Sequence, residues 1–294
     1  MGDTAKVWRH RTGELTLDRT RVMGILNVTP DSFSDGGRYF DPDAALRHGL
    51  GLVEQGADLL DVGGESTRPG SDPVAANEEW RRIGPVIENL AKKVDIPLSV
   101  DTMKPDVAAK AIDAGASIVN DVSGMREPAM VRVVAESRAG AVVMHMLGNP
   151  KTMQTHPHYD DVVGEVSAFL VERIRALETA GAATEALAVD PGVGFGKTRE
   201  HNLALLRNLD RIVALGHPVV VGVSRKSFIE RIAGAGASDR LPGSLAAAAL
   251  AVAQGVHVVR AHDVRATVQA TRVADRNPQG PEAFLAGAVE NLKR

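Results

Sequence analysis

Eight short apolar runs, separated by stretches of helical periodicity, constrain this chain more than any other feature. They lie at residues 22–28, 59–63, 98–101, 118–122, 141–145, 187–190, 219–223 and 258–261. Each is rich in Val, Ile and Leu, and apolar residues do not alternate with polar ones. Strands of a parallel sheet, buried on both faces, read this way, whereas a half-exposed antiparallel strand alternates.

The intervening segments carry helix punctuation. Asp41 precedes Pro42, an N-cap followed by Pro at the first helical position, and Gly56 closes that helix. Asn77 is the expected cap of the second helix, whose Trp80, Ile83, Ile87 and Leu90 fall on one face. Lys104 and Pro105 open the third and Gly115 ends it; Thr198 opens a helix expected to run to Gly216. The stretch 243–255, mostly Ala and Leu, reads as a helix buried nearly all round. Eight β–α units in succession predict an α/β fold, a single (β/α)8 TIM barrel, with a doubly wound open sheet as the alternative. The length of 294 residues suits one such domain, 1–294, with a core over about 20–277 and an extra C-terminal helix at 278–294 after a Pro/Gly break.

Composition narrows the function classes. The net charge is −3 with acids and bases interspersed, so no basic face for nucleic acid is expected. There is no cysteine, which excludes disulfides, thiolate metal sites and a Cys nucleophile. The segment from Met1 to Gly13 lacks the apolar core of a signal peptide, and the longest apolar run, 245–253, is too short to span a bilayer. A soluble cytoplasmic protein that engages no membrane is the expectation.

Nearly every predicted strand ends in a polar group: Asn27; Asp61 and Glu65; Asp101; Asn120 and Asp121; His145; Asp190; Ser224, Arg225 and Lys226; Arg260 and His262. In a barrel these ends gather at one rim, where active sites lie. Any one of them could merely cap a turn, but the whole ring suits a polar ligand. Asp101, Asn120, Asp190 and Lys226 suit a heterocycle that offers both donors and acceptors. Asn27, Arg68, Arg260 and His262 suit phosphate, and Asn27 could offer an oxygen to Mg²⁺. Three segments after strands, 29–40, 66–76 and 225–241, are long enough to suggest function. Gly192 to Thr198 resembles a P-loop, but Pro191 stands where its first Gly belongs, so it reads as a flexible loop before a capped helix. His156 and His158 are more simply solvated than metal-bound, and His201 and His217 read as surface residues.

Several strings are recognisable. The run from Gly24 through Asn27, Phe33 and Asp35, the run from Asp61 through Arg68 to Gly70, and then Asp101, Asn120–Asp121, Asp190 with Lys197, Ser224–Ser227 and Arg260–Asp263 resemble, in order, the signatures of the dihydropteroate synthases. The resemblance covers about residues 15–277. It implies condensation of a dihydropterin diphosphate with 4-aminobenzoate in folate biosynthesis, releasing pyrophosphate, by a Mg²⁺-dependent homodimer of the sulfonamide-target class. It implies that Asp101, Asn120, Asp190 and Lys226 hold the pterin in a pocket with Met144 and Gly222, and that Thr67, Arg68, Arg260 and His262 meet the diphosphate. Phe33, Asp35, Pro69, Phe195, Lys226 and Ser227 would form the aminobenzoate site, and Asn27 would bind the metal. Asn27, Arg68, Lys226, Arg260 and His262 would form the catalytic set. A pterin-binding methyltransferase domain would share Asp101, Asn120 and Asp190, but has no evident use for the Asn27–Phe33 loop, Arg68 or Lys226.

Overall fold

The computed structural model describes residues 6–29, 41–68, 70–234 and 239–276. It begins with an antiparallel hairpin, β1 (Val7–His10) and β2 (Gly13–Thr16). Eight parallel strands follow: β3 (Arg21–Asn27), β4 (Leu59–Gly63), β5 (Leu98–Asp101), β6 (Ile118–Asp121), β7 (Gly140–Met144), β8 (Leu187–Asp190), β9 (Val220–Gly222) and β10 (Val258–Ala261). Their spatial order is β8-β7-β6-β5-β4-β3-β10-β9, and a parallel bridge between Val189 and Val219 joins the two ends. The sheet is therefore a barrel rather than the open alternative.

The helices are α1 (Pro42–Glu54), α2 (Ala76–Leu90), α3 (Pro105–Asp113), α4 (Pro128–Ser137), α5 (Val162–Thr179), α6 (Arg199–Arg207), α7 (Leu209–Val213), α8 (Ser227–Ala233), α9 (Leu241–Ala253) and α10 (Val264–Asp275), the C-terminal helix of the described chain. The helical tail expected at 278–294 lies outside the described residues.

Burial divides into three zones. Between strands and helices lies the main core, with Leu26, Leu60, Val100, Val143 and Val221 facing residues such as Ile83, Leu170 and Leu205. Inside the barrel at its N-terminal end, Met23, Leu59, Ile118, Val142, Ala188, Val220 and Val258 converge on the fully buried Trp8 of the hairpin. The Trp8 indole N–H donates to the carbonyl of Ala186 at 3.0 Å, so this plug is both apolar and hydrogen-bonded. At the opposite end, Val122, Met144, Met146 and Met153, with Met103 and Phe195 against them, form a smaller apolar cluster beside the rim.

Three expectations about elements need correction. Helix α2 starts from Ala75, with Asn77 inside its first turn, where its side chain receives the N–H of Glu78. The helix opened by Thr198 does not run unbroken to Gly216: it stops at Asn208, and Gln254 at the end of α9 takes the Leu209 N–H from outside. The apolar stretch near 243–255 begins earlier, at Leu241–Pro242, and is not buried all round, since Leu250 is 67% exposed. In the segment 225–241, α8 occupies Ser227–Ala233.

Candidate active site

The parallel register brings the strand-end polar groups to one rim. Asp61 on β4, Asp101 on β5 and Asn120 on β6 stand on neighbouring strands, and β10, carrying Arg260, pairs with β3 on the other side of β4. The Arg260 guanidinium reaches across the barrel mouth and donates to Asp61 at 2.6 Å and Asp101 at 2.7 Å. Asp61 is wholly buried and also accepts from the Ser99 hydroxyl at 2.6 Å and the Asn120 amide at 2.9 Å. It is the hub that orients Asn120 and Arg260. The sequence placed Asp61 in the ring but gave it no role; its position in mid-strand on β4, among Val and Leu, was the available signal.

Beside this hub opens a narrow cavity, continuous with solvent, lined by Asn120, Val122, Met144, Asp190, Gly192, Val193, Phe195, Gly222, Lys226 and Arg260. Five residues singled out for the pterin, Asn120, Met144, Asp190, Gly222 and Lys226, thus share one cavity with Arg260, and Asp101 adjoins it through Arg260. One carboxylate oxygen of Asp101 is buried without a partner among the described residues, which leaves an acceptor for a ligand. Asp190 takes the Gly192 N–H at 2.7 Å on one oxygen. The Lys226 ammonium lies 4.1 Å from the centre of the Phe195 ring, a cation–π contact that caps the apolar side of the cavity.

Electrostatics tune these groups toward neutral pH. Burial pushes Asp101 up to about 7, against the pull of Arg260 and with the help of the nearby Asp61 charge. Burial likewise raises Asp190 to about 6, opposed by the Gly192 N–H and by Lys226. Lys226 is lowered by burial to about 8, with Asp190 opposing. For Arg260, burial opposes the charge, but Asp61 and Asp101 outweigh it and hold the group above its ordinary value. The site is a set of acceptors and one ammonium, each near its switching point, around a permanent guanidinium.

The remaining candidates stand around this cavity. Asn27 ends β3, partly buried, opposite Gly63. Thr67 and the exposed Arg68 sit on the loop after β4, where Ser71 binds back to the Arg68 carbonyl at 2.8 Å. The base of that loop is held by Lys104, which pairs with Glu65 and with buried Glu79, the latter at 2.6 Å. His262 follows β10; burial and then Arg260 lower it to about 3, so it is neutral. Its Nδ1 lies 3.0 Å from the Ser224 hydroxyl. With Ser224 donating, the proton sits on Nε2. Ser227 opens α8, next to Lys226. Arg225 forks onto Asp263 at 2.6 and 3.0 Å, and Asp121 accepts the N–H groups of Ser123 and Met125, so these two rim residues serve the scaffold. Phe33, Asp35 and Pro69 lie outside the described residues. Neither His201 nor His217 is a bare surface residue: His201 completes the Thr198 cap, and His217 meets the Leu187 carbonyl at 3.2 Å.

Comparison with known proteins bears on this constellation. A family model described as pterin binding enzyme matches residues 23–262. Dihydropteroate synthase of Escherichia coli strain K12 is 47% identical over 261 residues, covering 89% of this chain and 93% of that protein. The chain belongs to the dihydropteroate synthase family. Among solved structures of the family, the Xanthomonas albilineans dihydropteroate synthase with 4-aminobenzoic acid aligns with a TM-score of 0.88 at 50% identity, covering 95% of this chain and all of that one (100%). The same organism's enzyme in complex with 7,8-dihydropteroate aligns at 0.82 and 49% identity, covering 91% and 97%. Residues 23–262 include every strand-end group described above, from Asn27 to His262.

Proposed function

We propose that this protein is a transferase that joins the dihydropterinylmethyl group of a dihydropterin diphosphate to 4-aminobenzoate, giving 7,8-dihydropteroate and pyrophosphate. The observation that carries this reading is the single cavity in which Asn120, Asp190 and Lys226 converge beside the Arg260-bridged pair Asp61 and Asp101. Ionised Asp101 and Asp190 accept N–H groups from the amino-pyrimidine edge, and the Asn120 amide adds a donor and an acceptor. Lys226 donates to a ring nitrogen or carbonyl, while Met144 and Val122 pack on the ring face.

In the reaction the amine lone pair forms a C–N bond to the pterin CH₂, the C–O bond to the diphosphate breaks, and the amine loses a proton. An arylamine is a weak nucleophile, so departure of the leaving group dominates the barrier. Arg260, Arg68 and the Nε2–H of His262 stabilise the charge that builds on the diphosphate, with Thr67 adding a hydroxyl donor. The pterin spreads the positive charge left on the CH₂, and Asp190 with Lys226 holds the tautomer that does so. Phe195, Lys226 and Ser227 form the described part of the acceptor site, to which Phe33, Asp35 and Pro69 are assigned by the family resemblance alone. Gly222, lacking a side chain, leaves room beside Arg260.

The residues fit Mg²⁺ held mainly by substrate. No group of three or more His, Asp or Glu side chains that could hold a metal occurs among the described residues. Mg²⁺ commonly uses one or two protein oxygens plus phosphate and water, and the Asn27 amide oxygen at the end of β3 suits that role. When bound, the ion would neutralise diphosphate charge.

The reading extends to one domain over 1–294 that acts as a homodimer in the cytoplasm. Leu250 of α9 and Val273 of α10 are 67% and 74% exposed on helices that pack together, an apolar face that a second copy would cover. No helix among the described residues is long and apolar enough to cross a membrane. The pterin assignment is tested by calorimetry on Asp190→Ala, which should bind dihydropterin diphosphate at least about a hundredfold more weakly, as expected when a buried partner of a charged hydrogen bond is lost. Unchanged affinity would remove Asp190 from pterin recognition.

A further inference from the structure

The loop between β8 and α6 is held against the end of β7 with little freedom. Gly192, Gly194 and Gly196 have φ of +66°, +85° and +62°. A Cβ on Gly192 would stand 1.8 Å from the His145 carbonyl oxygen, and one on Gly196 would stand 2.6 Å from Cβ of Leu147. The backbone therefore lies directly on residues 145–147, and the flexible loop expected from the glycines is a clamped one. The Gly194 N–H donates to Asn202 at 2.7 Å, the Gly194 carbonyl accepts from Gln154 at 2.9 Å, and the Gly196 carbonyl accepts from the Tyr159 hydroxyl at 2.9 Å.

Lys197 completes the clamp from inside. Its side chain is buried, and Nζ meets three acceptors: Nδ1 of His145 at 2.9 Å, the Phe195 carbonyl at 3.0 Å and the His145 carbonyl at 3.4 Å. An ammonium has three N–H donors and no acceptor, so the match is complete. Nδ1 can accept only if His145 is neutral with its proton on Nε2. Burial and the adjoining Lys197 charge hold His145 down at about 3, which meets that condition. Burial also lowers Lys197, to about 7, with Asp190 opposing and Lys226 reinforcing. A buried cation is costly to desolvate, so its three bonds make it a rigid strut.

We propose that Lys197 is a positioning residue for the arylamine acceptor. By tying the Phe195 carbonyl to His145, its ammonium sets the Phe195 ring under Lys226 and fixes one wall of the acceptor pocket. This rests on the reading that Phe195 and Lys226 line that pocket. The pterin edge is read by Asp101 and Asn120 on β5 and β6 and by Asp190, whose carboxylate is held by the Gly192 N–H rather than by Lys197, so the effect falls on the acceptor.

The test compares Lys197→Met, Gln154→Ala and Phe195→Ala, reading KM for 4-aminobenzoate alongside the calorimetric Kd for dihydropterin diphosphate. Lys197→Met should raise KM for 4-aminobenzoate roughly tenfold, equivalent to about 1.4 kcal/mol, while the pterin Kd changes less than about threefold. If Lys197→Met does not melt cooperatively, Gln154→Ala decides, because Gln154 is exposed and releases the carbonyl next to Phe195; the proposal requires its KM to rise in the same sense. A pterin Kd that weakens in parallel with KM would mean general disruption and overturn the proposal. Raised KM in Phe195→Ala with unchanged KM in both other variants also overturns it and leaves the pocket reading intact. Unchanged KM in Phe195→Ala defeats the pocket reading itself.

Discussion

Replacing Asp61 by Asn removes one negative charge from the barrel mouth while keeping its hydrogen bonds. The amide oxygen can keep the Asn120 and Arg260 donors that Oδ2 now accepts, and the new NH₂ faces the Ser99 hydroxyl, which can turn to accept. The fold should survive. The neighbour that changes is Asp101, which burial and the Asp61 charge together push up to about 7. Two unit charges on the order of 5 Å apart interact by about 3 kcal/mol at an effective dielectric near 20, and one pKa unit is about 1.4 kcal/mol. Removing Asp61's charge is therefore strong enough to lower Asp101 by a unit or more, and Arg260, with one anion fewer to serve, pulls it further the same way. Pterin binding needs both carboxylates ionised, so affinity is present above their pKa values and is lost as pH falls through them. In the native protein the acid limb should lie near 7, set by Asp101; in Asp61→Asn it should move to about 6, where Asp190 takes over. The assay is calorimetry of dihydropterin diphosphate across roughly pH 5 to 9, a range that spans both carboxylates, with carboxyl-carbon NMR of Asp101 as the direct readout. An acid limb that stays near 7, or moves up, refutes the reasoning.

Other outcomes follow from the same structure. Above about 8 the Lys226 ammonium is lost, so the affinity for the pterin diphosphate should fall again on the alkaline side; a flat alkaline profile would mean that Lys226 makes no charged contact with it. Trp8→Ala empties the barrel plug and removes its bond to Ala186, which should cost about 3–5 kcal/mol by urea denaturation; a loss under about 1 kcal/mol would show the hairpin to be dispensable. Leu250→Asp on exposed α9 should leave the monomer folded and shift sedimentation toward the monomer; unchanged mass would put the subunit contact elsewhere.

The barrel was legible because parallel strands buried on both faces leave unbroken apolar runs, and β4, β5, β8 and β10 begin and end where those runs do. The rim was legible for a related reason: a charged residue closing such a run needs a polar partner, which Asp190 finds at the mouth and Asp121 finds in the N–H groups of Ser123 and Met125. What escaped the sequence depends on contacts distant along the chain. Trp8 reads as one aromatic in a polar leader until the barrel floor surrounds it. The break at Asn208 places the Leu209 N–H on Gln254, far away in sequence, an acceptor that the local pattern does not reveal. Asp61 becomes a hub only when β10 delivers Arg260. The glycines after Asp190 suggested mobility, yet the close approach they permit lets Lys197, Tyr159 and Gln154 fix the loop.

The most direct test of the central claim is to mix the protein with dihydropterin diphosphate and Mg²⁺ and follow pyrophosphate with and without 4-aminobenzoate. Release that depends on the amine and matches the 7,8-dihydropteroate formed mole for mole is the predicted result. Pyrophosphate released at the same rate without the amine, or none with both substrates present, would contradict the account.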